Sequence, residues 1–408
     1  MVFDIRNFGA KPENEINTAE IQAAVNACRE SGGGRVEISG GTYKTGSITL
    51  YSNIDLYIAA NACLLGSENC ADYPEKEIKH AITENLARHR NASLIFAEEC
   101  ENVSISGSGK IDCNGKKFVK LRKGDWNGWH YERINAPTPP RVVFFMGCKN
   151  IRVSGITMVN QPSGWSYFMH DCENVVFDGI TIDAEVQYPN NDGIHINSCR
   201  GVMICNCNIS CGDDCLVVRA NNKSLKENKV CEGVVVTNCV LRSWSAAVRI
   251  GWAEDGVIRN CTFSNLSIRD TSVGIACMIP SRTDCPTGDF GREETLVQNL
   301  MFSNIVMHEI YGRPVLLRIV PYNERIKEIS NISFNNIIAK GLEYPLIMGK
   351  KNCLIHDIDF NNCSFTRCAD SELEVNYEFH GAAAWDRFIN ENKNSNCFNI
   401  RYNNCIQK

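Results

Sequence analysis

The chain has 408 residues, 44% hydrophobic and 22% charged, with a net charge of −5. That length suffices to bury a large core, and the acidic balance offers no basic footprint for a nucleic-acid partner. No run of about 18 apolar residues marks a membrane span, and the opening MVFDIRNFGAKPENEINTAE lacks the basic start, apolar stretch and small-residue cleavage site of an export signal. The expectation is therefore a cytoplasmic protein, without membrane or nucleic-acid partners, a monomer or small homo-oligomer, whose 22 cysteines stay reduced.

The first predicted element is an amphipathic helix over NTAEIQAAVNACRESGGG. Asn17 is placed to cap it, Glu20 three residues on completes a capping box, and the glycines from Gly32 stop it. A stack of repeats exposes apolar core at its open end, and this helix is the expected cap.

Repeats follow. CENVSISGSGKID, CKNIRVSGITMVN, CENVVFDGITIDA, CRGVMICNCNISC and CEGVVVTNCVLRS open on Cys100, Cys148, Cys172, Cys199 and Cys231, then alternate apolar and polar residues at period two. GVIRNCTFSNLSI, VQNLMFSNIVMHE, ISNISFNNIIAKG and IHDIDFNNCSFTR continue the pattern. The spacing, in the twenties to low thirties where loops are short, is that of one turn of a parallel β-helix. The fold class is all-β, one β-helix domain over 1–408, with the cap in about the first 60 residues and coils from about 61 onward. Stacking should place the repeated cysteines, and the pairs Asn206/Cys207, Asn238/Cys239, Asn260/Cys261 and Asn362/Cys363, in internal ladders.

Loops that leave a rigid scaffold are where function is expected. Between Cys113 and Arg141, the stretch RKGDWNGWHYERINAPTPP carries Trp126, Trp129, His130, Tyr131 and Arg133, a mixture suited to stacking on a sugar. ANNKSLKENK, after Ala220, reads as a solvated loop, and PSRTDCPTGDFGREE, from Pro280, as the wall of a groove. Between the first two lies YPNNDGIHINSCRGVMICNCNISCGDDCLVVRA. Asp213 and Asp214 are 21 and 22 residues beyond Asp192 (213 − 192 and 214 − 192), close to one coil, so three carboxylates should converge on one face. Such a cluster gains either a cation or separated pKa values. Cys211 and Cys215, with His195 the nearest histidine, do not match a zinc pattern, so neither metal nor cofactor is expected.

At this point the chain resembles family 28 of the glycoside hydrolases, the polygalacturonase and rhamnogalacturonan-hydrolase group. The resemblance covers FGAKPENEINTAEIQAAVNAC, GGGRVEISGGTYKTGSITLYSNIDLYI, NQPSGWSYFMHDCENVVFDGITI and the pair NNDGIHI and CGDDC. It implies a right-handed parallel β-helix and an inverting hydrolase, with Asp213 as general acid and Asp192 and Asp214 activating water. An inverting pair leaves room for that water, and opposed carboxylates raise one pKa.

The departures bear on substrate. The family's Gly-His-Gly turn matches SAAVRIG here, with Ala246 where the histidine would be, and its Arg-Ile-Lys substrate clamp matches GIACMIP, with Ala276 and Met278. Replacement cations are Arg249, Arg219 and Arg318, the last followed by Tyr322, which matches a tyrosine the family places near the cleaved sugar. His195, His170 and Trp129 complete the candidate substrate contacts. The reading is an exo-acting hydrolase of pectin-derived or related oligosaccharides. The alternatives are a non-catalytic carbohydrate-binding β-helix protein and a polysaccharide lyase, the latter needing calcium and a basic group.

Overall fold

The computed structural model describes residues 1–81, 91–122, 131–134, 141–252, 255–279, 295–319, 326–351, 353–369 and 393–408. Within them the chain winds as a right-handed parallel β-helix. Ten parallel strands, from Ile48–Thr49 to Leu346–Met348, make one face, and a 21-stranded parallel sheet wraps the others. Strand pairing begins early: Val2 lies opposite Arg35 and Gly34 opposite Ile54. Stacked strands and cap therefore share the first 60 residues.

The helix runs over Thr18–Glu30 and turns Ile21, Ala24, Val25 and Cys28 into the core. Its start differs from the expected capping box. Asn17 makes no side-chain cap, because its Oδ1 accepts instead from the Lys11 amide (2.8 Å) and Asn14 Nδ2 (2.9 Å). The glycine stop is as expected: Gly32 and Gly33 take positive φ, and the Gly33 amide donates to the Cys28 carbonyl at 2.9 Å.

The cysteines of the repeats are buried free thiols, as expected of small apolar fillers. Successive coils touch through them; the Cys172 amide approaches Cys199 Sγ at 3.3 Å. The paired asparagines differ from expectation by lying outside the core. Asn206, Asn238, Asn260 and Asn362 are exposed and left-handed, a conformation asparagine tolerates at each bend. Their side chains bond from coil to coil on the surface, as from Asn238 Nδ2 to Asn206 Oδ1 and from Asn299 Nδ2 to Asn260 Oδ1. Inside, Phe263, Phe302, Phe334 and Phe360 stack with centroids 4.7–5.1 Å apart, and the exposed Tyr402 continues the column at 4.8 Å.

The loop after Ala220 is not a solvated appendage. Asn222, Ser224 and Leu225 are buried, and Leu225 packs with Ile78, Ala81, Phe96, Phe144, Met146 and Phe168 on the outer side of the ten-stranded face. Lys226 Nζ also donates to the Lys79 carbonyl at 2.7 Å. One apolar residue in a polar run thus anchors the loop. Leu225→Ala should cost about 2–5 kcal/mol, read as a lower urea midpoint.

Candidate active site

The ten-stranded face positions the three aspartates by register. Ile194 lies opposite Leu216 and Leu216 opposite Val248, so Asp192, Asp214 and Ala246 fall on successive coils in one column. Asp213 precedes Asp214 in the bend after Cys211. One oxygen from each of Asp192, Asp213 and Asp214 lies within 4.8 Å of the others, and all three side chains are buried.

The bend is shaped by contacts rather than by a left-handed glycine. A Cβ on Gly212 would stand 2.5 Å from the Tyr188 carbonyl and 2.6 Å from the Val186 carbonyl. Asn191 holds it in place, accepting from the Gly212 amide at 2.7 Å and donating to the Glu185 carbonyl at 2.7 Å. Ser243 Oγ donates to the Asp213 carbonyl at 2.6 Å. The two flanking thiols sit in the core, Sγ atoms 3.6 Å apart, with Cys211 donating to the Asp213 carbonyl and Cys215 to the Arg242 carbonyl.

The three carboxylates have unlike surroundings. Asp214 Oδ1 accepts from the Ala246 amide (2.9 Å) and Arg249 Nη2 (3.1 Å), and Oδ2 from Arg249 Nε (2.9 Å). Burial pushes this group up, but the Arg249 charge and these bonds outweigh it and hold the pKa below the usual value. Among the described residues, Asp213 accepts only from Asn190 Nδ2 at 3.2 Å and from the neighbouring Asp214 amide at 3.1 Å. Burial, then Asp192 and Asp214, push it well up. Asp192 is likewise pushed well up, by burial and then by Asp214. Its Oδ2 is bonded to His195 Nε2 at 2.8 Å, while its buried Oδ1 has no hydrogen-bond partner among the described residues. The site thus holds one fixed anion and two carboxyls that compete for a proton.

The other expected site residues divide. His195 is brought in, buried against Asp192 and stacked on Trp165. Arg249 is brought in too, but as the partner of Asp214; it stands three residues beyond Ala246 and reaches back toward the carboxylate that the absent histidine would have neighboured. Arg219 is turned away from the expected substrate role by a two-point ion pair with buried Asp255, at 2.7–2.9 Å. His170 is 2% exposed beneath the loop at Asn221, and burial pulls its ring down to about 3, so it stays neutral and hidden from a ligand. Arg318 is half-buried between Met278 and Met348 in register, three coils past the Asp213/Asp214 coil. At a strand spacing of about 4.8 Å that places it about 14 Å along the stack. Trp129 and Tyr322 lie outside the described residues, as do Trp126, His130 and the stretch 280–294.

Several neighbours were not singled out from the sequence. Arg133, read only as part of an aromatic loop, donates from Nε to Ser163 Oγ (2.8 Å) and from Nη2 to Asn190 Oδ1 (3.2 Å), one bond from Asp213. Arg141 and Trp165 occupy the two coils before Asp192 in the same column, with the Arg141 guanidinium carbon 3.7 Å above the Trp165 ring. The coil count that leads forward from Asp192 to Asp214 leads back, by one coil, to Trp165.

Comparison with known proteins agrees with this architecture. A probable polygalacturonase from Vitis vinifera is 28% identical over 66% of this chain and 55% of its own length. An exo-poly-alpha-D-galacturonosidase from Dickeya chrysanthemi is 26% identical over 67% of this chain and 51% of its own length. The chain therefore matches about half the length of these two relatives. The family 28 exopolygalacturonase structure from Yersinia enterocolitica superposes on all of this chain and 75% of its own, with a TM-score of 0.74 at 20% identity, a likeness of fold. The model of glycosyl hydrolases family 28 matches residues 75–317, which hold all three aspartates and most of the ten-stranded face. The chain belongs to glycosyl hydrolases family 28.

Proposed function

We propose that the protein hydrolyses glycosidic bonds in pectin-derived or related oligosaccharides, exo-acting and with inversion. The observation that carries this reading is the split among three converging carboxylates, one oxygen of each within 4.8 Å of the others: Asp214 held ionised, Asp213 and Asp192 pushed up. Asp213, in its protonated form, gives its proton to the glycosidic oxygen as the bond to the anomeric carbon breaks. Water attacks that carbon and passes a proton to Asp192, whose Oδ1 has no hydrogen-bond partner among the described residues. Asp214, with both oxygens occupied by donors, is a poor base; it orients the water and its charge stabilises the oxocarbenium-like transition state. The curated relatives' names, one of them an exo-acting galacturonosidase, support the substrate class and the exo mode.

The spacing favours one competing path. A nearest-oxygen distance within 4.8 Å falls below the about 6.5–9.5 Å between carboxyl groups of inverting enzymes and near the about 5–5.5 Å of retaining ones. In the second reading Asp192 attacks the anomeric carbon directly. The third carboxylate is the reason to prefer water: a water bonded to both Asp192 and Asp214, on adjacent coils, would not have to fit in the Asp192–Asp213 gap.

The test of function is release of new reducing ends from a panel of pectic oligosaccharides and aryl glycosides. Single sugars released from the first minutes support exo action. Tight binding with no turnover supports the binding-protein reading, and a chelator-sensitive unsaturated product supports a lyase. Where cleavage occurs, kcat/KM should be bell-shaped in pH. Activity falls as pH rises through the raised pKa of Asp213, which loses its proton, and as pH falls through that of Asp192, which gains one.

A further inference from the structure

We infer that His195 is the positioning residue of Asp192: a neutral imidazole, wedged against Trp165 and backed by Arg141, that donates its Nε2 hydrogen to Asp192 Oδ2 and leaves Oδ1 as the oxygen that receives the proton. This rests on the hydrolytic reading above.

The geometry is a stack along the coil axis. His195 and Trp165 lie face to face, 3.6 Å between centroids and 10° between planes, and the Arg141 guanidinium covers Trp165. Phe168 closes the side of the imidazole edge-on at 6.2 Å. His195 is 3% exposed, so the ring cannot tilt without displacing these neighbours. Nδ1 has no hydrogen-bond partner among the described residues, whereas Nε2 stands 2.8 Å from Asp192 Oδ2. A hydrogen on Nδ1 would be a buried orphan donor, so the tautomer with hydrogen on Nε2 is the stable one.

Apart from the Asp192 carboxylate that the ring bonds at 2.8 Å, the strongest influences on it agree. Burial, Arg141 and Arg219 all disfavour a second proton on His195, and Asp214 opposes them with less effect. The imidazole therefore stays neutral while Asp192 cycles between carboxylate and acid. By donating to the carboxylate, it stabilises the ionised form that a base needs, against the burial that raises its pKa. It also fixes which oxygen is left without a partner to take the proton.

His195→Phe keeps the stacked ring and removes the donor. On whichever oligosaccharide the wild type cleaves, kcat should fall about 10- to 100-fold with KM changed less than about threefold. The acid limb of the pH profile should move up by about one pH unit, because Asp192 loses a bond to its ionised form. His195→Gln, which restores an N–H donor, should recover part of both effects. A merely structural role would lower activity without moving the acid limb, and that result overturns the inference.

A second readout needs no turnover. In the 15N-labelled full chain, the imidazole signal that vanishes in His195→Phe should show the neutral Nε2–H tautomer from about pH 5 to 8. A ring that titrates in that range, or one protonated at Nδ1, overturns the inference. If the wild type cleaves nothing on the panel, the hydrolytic reading fails, and the imidazole spectrum still decides the arrangement.

Discussion

Asp213→Asn should lower kcat by about 10²- to 10⁴-fold, the range associated with loss of a general acid, while the protein stays folded. The stability change should run the other way. The pKa of Asp213 is raised above its unfolded value, so the folded state holds this proton more tightly than the unfolded chain. As pH rises from the usual aspartate value toward the raised one, ionising a buried group beside Asp192 and Asp214 costs folding free energy, about 1.4 kcal/mol for each pH unit that separates the two values. The amide carries no such cost. The variant should therefore have the higher Tm at neutral pH, with the gap closing below about pH 4. A loss of activity of only a few-fold would remove Asp213 from the role of acid, and an unchanged or lowered Tm would contradict its electrostatic setting.

Arg249→Met should have the largest structural effect at the site. It removes the guanidinium that holds both oxygens of Asp214 and leaves that carboxylate buried and uncompensated. Breaking a buried pair from one side costs about 3–5 kcal/mol. In the wild type the pKa of Asp214 lies below its unfolded value, so the pair contributes stability above that unfolded value and loses it as pH falls through the folded one. Without Arg249, burial and the neighbouring acids push Asp214 up, and the sign reverses. Urea titration at neutral pH should show the loss, and the double variant Arg249→Met with Asp214→Asn should regain much of it. The double variant should remain inactive, because the fixed anion proposed to orient the water is gone.

What could be read from the sequence followed the coil period. Alternation at period two and recurring Cys placed the strands, and the 22-residue step from Asp192 to Asp214 put both on one column. The departures from expectation occur where a side chain has more than one partner within reach. Asn17 had the right identity for a cap, yet Lys11 and Asn14 compete for the same oxygen. Arg219 lies near the aspartate pair in sequence, but Asp255, 36 residues later, takes its guanidinium. The polar run after Ala220 concealed a single anchor, because the apolar hollow that receives Leu225 is assembled from strands far apart in the chain. Arg249 does lie in the site, where it pairs with Asp214. The aromatic stack on His195 was hidden for the same reason: its members are neighbours only across coils.

At the centre of the proposed mechanism, a water between Asp192 and Asp214 displaces a leaving group protonated by Asp213. Proton NMR of the product formed in the first minutes of cleavage, before mutarotation, tests it directly. The new reducing sugar should first appear with the anomeric configuration opposite to that of the bond cleaved. The same configuration would make Asp192 a nucleophile, and an unsaturated sugar would replace hydrolysis by elimination; either result contradicts the mechanism.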